Sequence, residues 1–261
     1  MLFDDNRHFE LAIARDAADL RQAQRLRYAV FVEELGADGA LVDHAAGLEA
    51  DRFDAFADHL LLRDRRRAEG DQVVGVYRLM RADQARAAGQ FYSEDEYDLG
   101  PLRATGRRLL ELGRSCLHPE YRGGTGMMQL WGGLAQYIRA HRIEVMFGVA
   151  SFHGTDPARI AGPLSLLHHR HLAPPDIRPV ARAPGAQRMD LIAEAEIDRP
   201  AATRDLPALI KAYLRLGGFV GAGAFIDRDF NCIDVCLVMD VARMSARHSA
   251  IYARGLAGVA S

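Results

Sequence analysis

The sequence predicts one domain of the α/β class. Segments typical of strands and of helices mix along all 261 residues, rather than separating into an all-β part and an all-α part. One continuous apolar run, VMFGVASF (145–152), is typical of a strand buried on both faces. Another stretch, over residues 126–141, keeps an apolar stripe at helical spacing. The chain has no internal repeat and no low-complexity linker, so a single domain over residues 1–261 is expected.

The N-terminal half is predicted to contain a strand, a long helix and a β-hairpin. The first strand is predicted in FELAIA (9–14). Asp16 can cap a helix over residues 17–35, in which Arg27 and Phe31 lie four apart and share a face. The hairpin joins two apolar runs around the polar turn RRRAEGD, namely HLLLRD (59–64) and QVVGVYRLM (72–80).

The C-terminal half continues the alternation of strands and helices. An apolar strand opens LLELGRSCLHPEYRGGTG (109–126) and leads into the helix over 126–141. Residues 156–171 are predicted to be helical in part, with Asp156 as the cap. The later elements are, in order, a strand in RMDLIA (188–193), a helix near 204–215, strands in AGAFI (222–226) and CIDVCLVMD (232–240), and a final helix. The pattern gives no assignment for the acidic and aromatic stretch FYSEDEYDLG (91–100).

Composition narrows the classes of function. A net charge of −2 gives no basis for nucleic-acid binding or for attraction to an anionic membrane. No apolar run approaches the roughly 18 residues of a transmembrane helix, so any membrane contact is expected to be peripheral. The odd set Cys116, Cys232 and Cys236, with no signal peptide at the N-terminus, predicts reduced thiols in a cytoplasmic protein. We interpret Cys232 and Cys236 as small core residues rather than metal ligands.

Two charged residues interrupt the apolar strand that opens at residue 109. A buried charge needs a partner or a chemical task, and Glu111 has two interpretations. It either accepts a proton in catalysis or pairs with Arg114 to stabilise the strand. Side chains alternate along a regular strand, so Glu111 and Arg114 can meet only if the strand bulges. Gly113 is where such a bulge would cost least.

The whole string, from the apolar strand through Leu-His-Pro-Glu-Tyr-Arg and the glycines to the amphipathic helix, resembles the central motif of the GNAT superfamily of N-acyltransferases. The resemblance implies a mixed central sheet with a splayed, bulged central strand and flanking helices. It also implies that this strand and turn bind a phosphopantetheine arm, because backbone N–H groups at a helix N-terminus receive anions. The positions concerned are Leu117, His118, Arg122, Gly123, Gly124 and Gly126. Thr125 and Met127 stand where the superfamily pattern has small residues. A phosphopantetheine arm on a carrier protein has a single phosphodiester, which needs fewer of these phosphate-binding positions than coenzyme A does.

A second resemblance links four segments to the acyl-homoserine-lactone synthases, which take acyl groups from acyl carrier protein. The segments are RLRYAVFVEELG, EADRFD, VVGVYRLM and LELGRS. The synthases carry a tryptophan after the Phe-containing helix, and GADG stands in its place here. The matching positions are Arg27, Phe31, Asp51, Asp54, Arg78, Glu111 and Arg114.

Nearly the whole chain resembles the ornithine N-acyltransferases of ornithine-lipid synthesis. The most specific block is the late one, YLRLGGFVGAGAFID with FNCIDVCLVMDVARMS, which makes residues 200–261 a family-specific C-terminal extension of the single domain. The resemblance implies transfer of a 3-hydroxyacyl group from acyl carrier protein to the α-amine of ornithine, giving lyso-ornithine lipid. The donor is then the acyl-phosphopantetheine of the carrier, and neither a bound cofactor nor a metal is expected.

The resemblance also suggests which residues act on the thioester. Glu111 is expected to accept the amine proton with Arg114 close to it, while backbone N–H groups freed by the bulge hold the thioester oxygen. Ser151 and His153 follow a buried strand near the expected path of the acyl chain, and His153 is either an acid or base or a structural residue. The general acid for the leaving thiolate stays open. Its candidates are Ser165, His168 and His169, the two histidines otherwise forming a basic surface within HHRH (168–171).

The acidic loop GLEADRFD is expected to bind the acceptor. Its carboxylates would hold the cationic groups of the substrate, with a solvated acidic loop as the alternative. The basic and aromatic positions nearby would order this loop or bind the substrate carboxylate, with surface pairing as the alternative. The substrate-binding candidates are Arg27, Phe31, Glu49, Asp51, Asp54 and Arg78.

The expected partners are acyl carrier protein and the amino acid, at the inner face of the cytoplasmic membrane, where the product must go. Acyl carrier protein is acidic, so its docking site should be basic. Candidate contacts, or else ordinary solvated arginines, are Arg103, Arg107, Arg108, Arg122, Arg139 and Arg142. Two alternatives stay open. One is acylation of another amino acid such as glutamine, or acyl-homoserine-lactone synthesis; the other is a non-catalytic lipid- or carrier-binding protein.

Overall fold

The computed structural model describes residues 8–39 and 42–243. The chain forms two units. The first comprises the described residues up to Met80 together with Leu112–Arg142. The second comprises Arg81–Glu111 and the described residues from Ile143 onward.

Strands and helices follow the alternation that the sequence predicts. The strands are β1 (Phe9–Ile13), β2 (Val42–Asp43), β3 (Leu48–Glu49), β4 (Asp58–Asp64), β5 (Val73–Arg81), β6 (Tyr97–Asp98), β7 (Leu109–Leu117), β8 (Val145–His153), β9 (Val180–Ala181), β10 (Ala186–Gln187), β11 (Phe219–Val220), β12 (Ala224–Asp227) and β13 (Cys232–Asp240). The helices are α1 (Ala17–Arg27), α2 (Ala82–Ala88), α3 (Gly100–Ala104), α4 (Gly126–Ala140), α5 (Ala161–His171), α6 (Arg199–Asp205) and α7 (Ala208–Arg215). Over the described residues, no helix combines the length and the apolar composition needed to cross a bilayer.

The first unit is built on an antiparallel set of strands covered by α4. β1 pairs with β4 and β4 with β5, and β5 lies beside β7. Close packing requires glycine at two points, since a Cβ at Gly75 would lie 2.7 Å from Leu117 Cδ2 and one at Gly133 would lie 3.1 Å from Leu60 Cδ1. The apolar stripe predicted for residues 126–141 is thus the buried face of α4.

The long helix predicted over 17–35 is α1 followed by a π-helix. Asp16 Oδ1 accepts from the backbone N–H groups of Ala18 and Asp19 at 2.9 Å each, which confirms the predicted cap. The wider turns of the π-helix, Tyr28–Glu34, begin directly after Arg27, whose side chain is fully buried. π-Helical turns are rare in proteins, and those that occur often lie at functional sites. Phe31 lies within these turns and packs against a buried apolar cluster.

The second unit contains a mixed sheet, as expected. β8 pairs antiparallel with β13 over nine residue pairs, from Val145 with Asp240 to His153 with Cys232. β12 extends this sheet on the other side of β13. β7 joins β8 in parallel through Leu109–Glu111, and the last pair is Glu111 with Phe147.

β7 is distorted in its middle, and its residues are divided between the two units after Glu111. The backbone of Arg114 has a φ of 49°, in the left-handed region that a non-glycine residue rarely adopts. The unusual backbone conformation lies at Arg114, the residue after the predicted Gly113, and the ladder with β8 ends at Glu111; a bulge between Glu111 and Arg114 stays a prediction. Two carboxylates hold the side chain of Arg114, and these bonds stabilise a backbone conformation that costs free energy by itself.

The strand predicted in RMDLIA (188–193) is wrong. Its backbone hydrogen bonds are made to a side chain instead of a neighbouring strand. Ser165 Oγ accepts from the N–H groups of Leu191 and Ile192 at 3.0 and 2.9 Å, and donates to the carbonyl of Met189 at 3.0 Å. A single buried hydroxyl thus satisfies three backbone groups, and the strand of this region is the short β10.

The helix predicted near 204–215 is two helices, α6 and α7, separated at Pro207. Leu206 has a ψ of 139°, outside the helical range, because a residue before proline disfavours that range. The prediction of one acyltransferase domain with an extension over 200–261 stays a prediction. The final helix expected after β13 falls largely within 244–261, outside the described residues.

Candidate active site

Six charged side chains of the first unit form a connected ion network, which comprises Arg27, Arg78, Arg114, Glu49, Asp51 and Asp54. Arg27 donates to Glu49 and, at 2.7 Å, to Asp54. Arg78 Nη1 donates to Asp51 and, at 3.0 Å, to Asp54. Arg114 donates to Glu49 at 3.1 Å and to Asp51 at 3.0 Å. Every member therefore bonds two others.

The ion network is buried and its charges balance. No member side chain is more than 8% exposed, and three guanidinium groups face three carboxylates. Burial alone would raise the pKa of each carboxyl group. The adjacent arginines outweigh it and hold the pKa values of Glu49, Asp51 and Asp54 below their ordinary range. All three acids therefore stay ionised at neutral pH.

The elements that position the ion network come from distant parts of the chain. Arg27 ends α1, Glu49 ends β3, and Asp51 and Asp54 lie in the loop before β4. Arg78 projects from β5 and Arg114 from the distorted part of β7. Because these elements are far apart in the sequence, the sequence indicates the six residues as candidates but does not indicate which arginine binds which carboxylate.

Two residues that the sequence did not indicate, Gln24 and His59, form hydrogen bonds with Asp54. Gln24 Nε2 donates to Asp54 Oδ2 at 3.0 Å, and His59 Nε2 donates to the Asp54 carbonyl at 3.0 Å. Burial lowers the pKa of His59, so its ring is neutral. Gln24 lies one helical turn before Arg27, a spacing that could have identified it, whereas His59 carries no such signal.

The alternative of a solvated acidic loop is wrong, because Glu49 is 1% exposed and Asp54 is 5% exposed. The alternative of surface pairing is wrong too, because Arg27 and Arg78 are buried where they contact this loop. Each carboxylate already binds two arginines, and Asp54 also accepts from the side-chain amide of Gln24. A substrate ammonium would have to compete with them, so direct binding of the substrate by Glu49, Asp51 and Asp54 stays a prediction.

Glu111 belongs to the second unit and is 4% exposed. Its two carboxylate oxygens accept from the backbone N–H groups of Tyr92 at 2.9 Å and Ser93 at 2.7 Å. These donors begin the 3₁₀ turn Tyr92–Asp95, in the stretch that the sequence pattern left unassigned. Glu111 therefore anchors this turn on β7.

The surroundings of Glu111 are aromatic and acidic. Phe147, its partner across the ladder, packs edge to face against Phe91 with ring centroids 5.0 Å apart. Burial raises the pKa of the Cys236 thiol, and the charges of Glu111 and Glu96 raise it further. Glu96 is itself 4% exposed, so two acidic side chains share this interior with Cys236.

Ser151 and His153 lie at the exposed end of β8 in the second unit. They face Asp234 and Cys232 across the ladder with β13. Within the described residues, the group of potential metal ligands closer than 4.8 Å to one another is Asp227, Cys232 and Asp234. Burial, with the charges of Asp234 and Asp227, raises the pKa of Cys232, so that without a bound cation it is a thiol.

Ser165 is fully buried and holds three backbone groups, so the structure does not support it as a general acid. His169 Nε2 donates to the Ile192 carbonyl at 3.2 Å, close to the same segment. The first of these candidates is therefore structural. The acid that protonates the thiolate stays open.

The glycine turn before α4 carries the predicted phosphate positions. Leu117 ends β7, His118 begins the turn, and Gly126 begins α4. Gly123 has a φ of 76°, and space is open where a Cβ of Gly123 or Gly124 would be. No side chain caps α4, and its first turn contains no acidic residue, so this helix end can receive an anion.

Arg122 lies in this turn with three donors engaged. Its Nε donates to the Leu117 carbonyl at 3.1 Å, and its two terminal nitrogens donate to the two oxygens of Glu34 at 2.6 and 2.7 Å. The sequence reasoning missed Glu34. It ends the π-helix, and no spacing in the sequence connects it with the turn.

Comparison with known proteins agrees with this arrangement. The acetyltransferase (GNAT) domain family matches residues 26–132, which include the ion network, Glu111 and the glycine turn. An L-ornithine N(alpha)-acyltransferase of Rhodobacter capsulatus is 58% identical over 252 residues, covering 96% of both chains. One of Brucella abortus is 44% identical over 247 residues, covering 93% of this chain and 88% of that protein.

Solved structures include the CoA-dependent acyl-homoserine lactone synthase BjaI with SAM and isopentyl-CoA. It matches 94% of this chain and 90% of its own, at 17% identity and a TM-score of 0.49. The family match and the sequence identities confirm the predicted GNAT N-acyltransferase fold and an N-acyltransferase enzyme. Because it is 58% identical to a relative over 96% of both chains, the chain belongs to the L-ornithine N(alpha)-acyltransferase family.

Proposed function

We propose that the protein transfers a 3-hydroxyacyl group from acyl carrier protein to the α-amine of L-ornithine, giving lyso-ornithine lipid. The observation that carries the choice of acceptor is the 58% identity, over nearly the whole chain, to a relative named for ornithine. The other acceptors, glutamine and the precursor of a homoserine lactone, have no comparable support. The family also disfavours the non-catalytic alternative.

The chemistry requires a free amine, because an α-amino group with a pKa of about 8 is largely protonated at neutral pH. We assign its proton to Glu111, whose carboxylate is already fixed by two backbone N–H groups. The amine nitrogen attacks the thioester carbonyl, the C–S bond breaks, and the thiolate departs and takes up a proton from an acid that stays open, while Glu111 releases its proton to solvent. Glu111 then returns to its ionised form.

The carbonyl oxygen gains negative charge as the amine attacks. We place the N–H groups that stabilise this charge at the left-handed backbone around Arg114. Ser151 and His153, at the exposed end of β8, are retained as candidates for contacting the reacting groups. Arg114 itself acts through the ion network, which fixes its side chain.

The donor is assigned to the glycine turn. A phosphopantetheine arm carries one phosphodiester, which matches one helix N-terminus and one arginine, Arg122. Protein docking would add contacts with exposed basic residues such as Arg139, in the last turn of α4. Arg103 and Arg107 are less available, because they pair with Glu94 and Asp240.

The product combines one acyl chain with a charged head group, so it partitions to a membrane surface. We therefore place the reaction at the inner face of the cytoplasmic membrane, with peripheral contact. No bound cofactor is required, since the acyl group arrives activated on its carrier.

One assay tests this proposal. The purified protein is incubated with 3-hydroxyacyl carrier protein and, separately, with ornithine, lysine, glutamine or S-adenosylmethionine, and the products are identified by mass. Transfer to ornithine in preference to the others is expected. Transfer to glutamine, release of an acyl-homoserine lactone, or absence of transfer to every acceptor would contradict it. Two parallel reactions test the donor. One uses 3-hydroxyacyl-CoA, which lacks the carrier protein, and the other uses an acyl carrier protein whose acyl chain has no 3-hydroxyl group.

A further inference from the structure

Arg122, which the proposed function assigns to the donor phosphate, already holds an anion of the protein itself. Both oxygens of Glu34 accept from the guanidinium, at 2.6 and 2.7 Å. This parallel pair of bonds is the geometry in which arginine binds two oxygens of a phosphate. The Glu34 carboxylate therefore occupies the position that a phosphate would take on Arg122.

The pair can open. The side chain of Arg122 is 39% exposed and that of Glu34 is 38% exposed, in contrast to the buried ion network. Arg122 is held on its other side by the Leu117 carbonyl, at 3.1 Å, so it stays in the turn when Glu34 leaves. Open space at Gly123 and Gly124 allows an anion to approach it.

We propose that Glu34 is a specificity-determining residue that competes with the donor phosphate for Arg122. The inference rests on the proposed donor site at the glycine turn. Each phosphorylated donor must displace Glu34 before it binds. A donor on a carrier protein brings additional contacts that compensate for this displacement, whereas free phosphopantetheine compounds do not. Glu34 thereby selects carrier-bound donors over free ones.

The chain offers a matched control beside Glu34. Glu33 is exposed, carries the same charge and precedes Glu34 in the same helix. Glu33→Gln therefore removes one negative charge from nearly the same place without touching Arg122. A difference in ligand affinity between Glu34→Gln and Glu33→Gln is therefore due to the contact of Glu34 with Arg122 and not to the change in net charge.

The test measures Kd by calorimetry at constant ionic strength, with the full chain and three probes: 4′-phosphopantetheine, coenzyme A and phosphate-free pantetheine. Glu34→Gln should bind the two phosphorylated probes about fivefold more tightly than wild type, the size expected for an exposed ion pair. Pantetheine affinity should not change, and Glu33→Gln should resemble wild type. In an Arg122→Gln background, Glu34→Gln should have no effect.

Equal or weaker binding of phosphopantetheine by folded Glu34→Gln would overturn the inference, as would an equal gain for Glu33→Gln. Circular dichroism melting of each variant, with Glu34→Ala as a second replacement, establishes that the compared proteins are folded. If folded Glu34→Gln binds phosphopantetheine no more tightly than pantetheine, the turn has no phosphate site, which also overturns the inference. The proposed function fails separately, through absent transfer to ornithine in the acyl-carrier assay.

Discussion

The guanidinium of Arg27 donates to the carboxylate of Asp54 across 2.7 Å, with Arg27 fully buried and Asp54 5% exposed. Arg27 also binds Glu49, so one cation bridges two acids that are almost completely shielded from bulk water. Removing one partner of a buried ion pair leaves an uncompensated charge, which costs more than the pair contributes. The first unit should therefore be destabilised by the loss of any one member of the ion network.

Arg27→Met keeps the length of the side chain and removes its charge. We expect the free energy of unfolding to fall by about 3–5 kcal/mol, because Glu49 and Asp54 lose a shared partner while staying buried. Urea denaturation followed by circular dichroism measures the change. Arg25→Met, at an exposed position of the same helix, is the control and should be nearly neutral. A loss below 1 kcal/mol for Arg27→Met would mean that the ion network contributes little to stability.

Stability should also depend on pH through the same acids. The pKa values of Glu49, Asp51 and Asp54 are lower in the folded protein than their ordinary values of about 4. A lowered pKa contributes stability above the ordinary value, and that contribution is lost as the pH falls toward the folded value. Urea midpoints should therefore fall progressively below about pH 5. The deficit of Arg27→Met should shrink over the same range, and a constant deficit would contradict the assignment.

Glu111→Gln tests the proposed base. Turnover should fall by about 10²–10⁴-fold, the usual contribution of a general base, and the acidic limb of the pH–rate profile should disappear. Because Glu111 also anchors the turn at Tyr92 and Ser93, melting temperatures must be compared. The exposed residue Glu196 provides the control Glu196→Gln. An unchanged pH profile, with activity loss proportional to the unfolded fraction, would leave Glu111 with a structural role alone.

Ser165→Ala should destabilise the second unit without touching the proposed chemistry. The hydroxyl accepts from Leu191 and Ile192 and donates to Met189, and its loss leaves these backbone groups unsatisfied. We expect a loss of about 1–3 kcal/mol in denaturant titrations, against nearly none for Thr203→Ala at an exposed helix position. Rates per folded molecule should match wild type. A rate defect in fully folded Ser165→Ala would instead revive it as a general acid.

The three cysteines should be unreactive in the folded protein. All are buried, and burial raises the pKa of Cys116 to about 12 and those of Cys232 and Cys236 above their ordinary value. Since the thiolate is the reactive form, a disulfide reagent at pH 8 should titrate no thiol quickly in the native protein. The same reagent should titrate all three in guanidinium. Fast labelling of a native thiol would indicate an opening that the structure does not show.

The elements that follow from the sequence are those with a regular apolar period. β13 has the bounds predicted from CIDVCLVMD, and α4 begins at the predicted Gly126, because burial of an apolar face determines both. RMDLIA has a similar composition but is not a strand, because a hydroxyl from a distant helix binds its backbone. No local pattern contains that information.

The candidate site shows the same limit. The residue types at Glu111, Arg114 and the acidic loop indicated their involvement, since charges in apolar surroundings need partners. Their actual partners are groups far along the chain: Glu111 binds two amides, and Arg114 binds Glu49 and Asp51. The sequence does not indicate a role for Glu34, because an acidic residue at the end of a helix is common. Its contact with Arg122 is visible only in the folded structure.

The division of β7 has a consequence for how this enzyme can be altered. Glu111 and Leu112 are neighbours in one strand yet belong to different units, and the chain also passes between units after Met80 and after Arg142. No single cut in the polypeptide separates the two. Neither unit can therefore be exchanged with a homologue as one contiguous segment. Over the described residues, chimeras that keep both units intact need three crossover points, the first before the last residue of β5 and the second in the middle of β7.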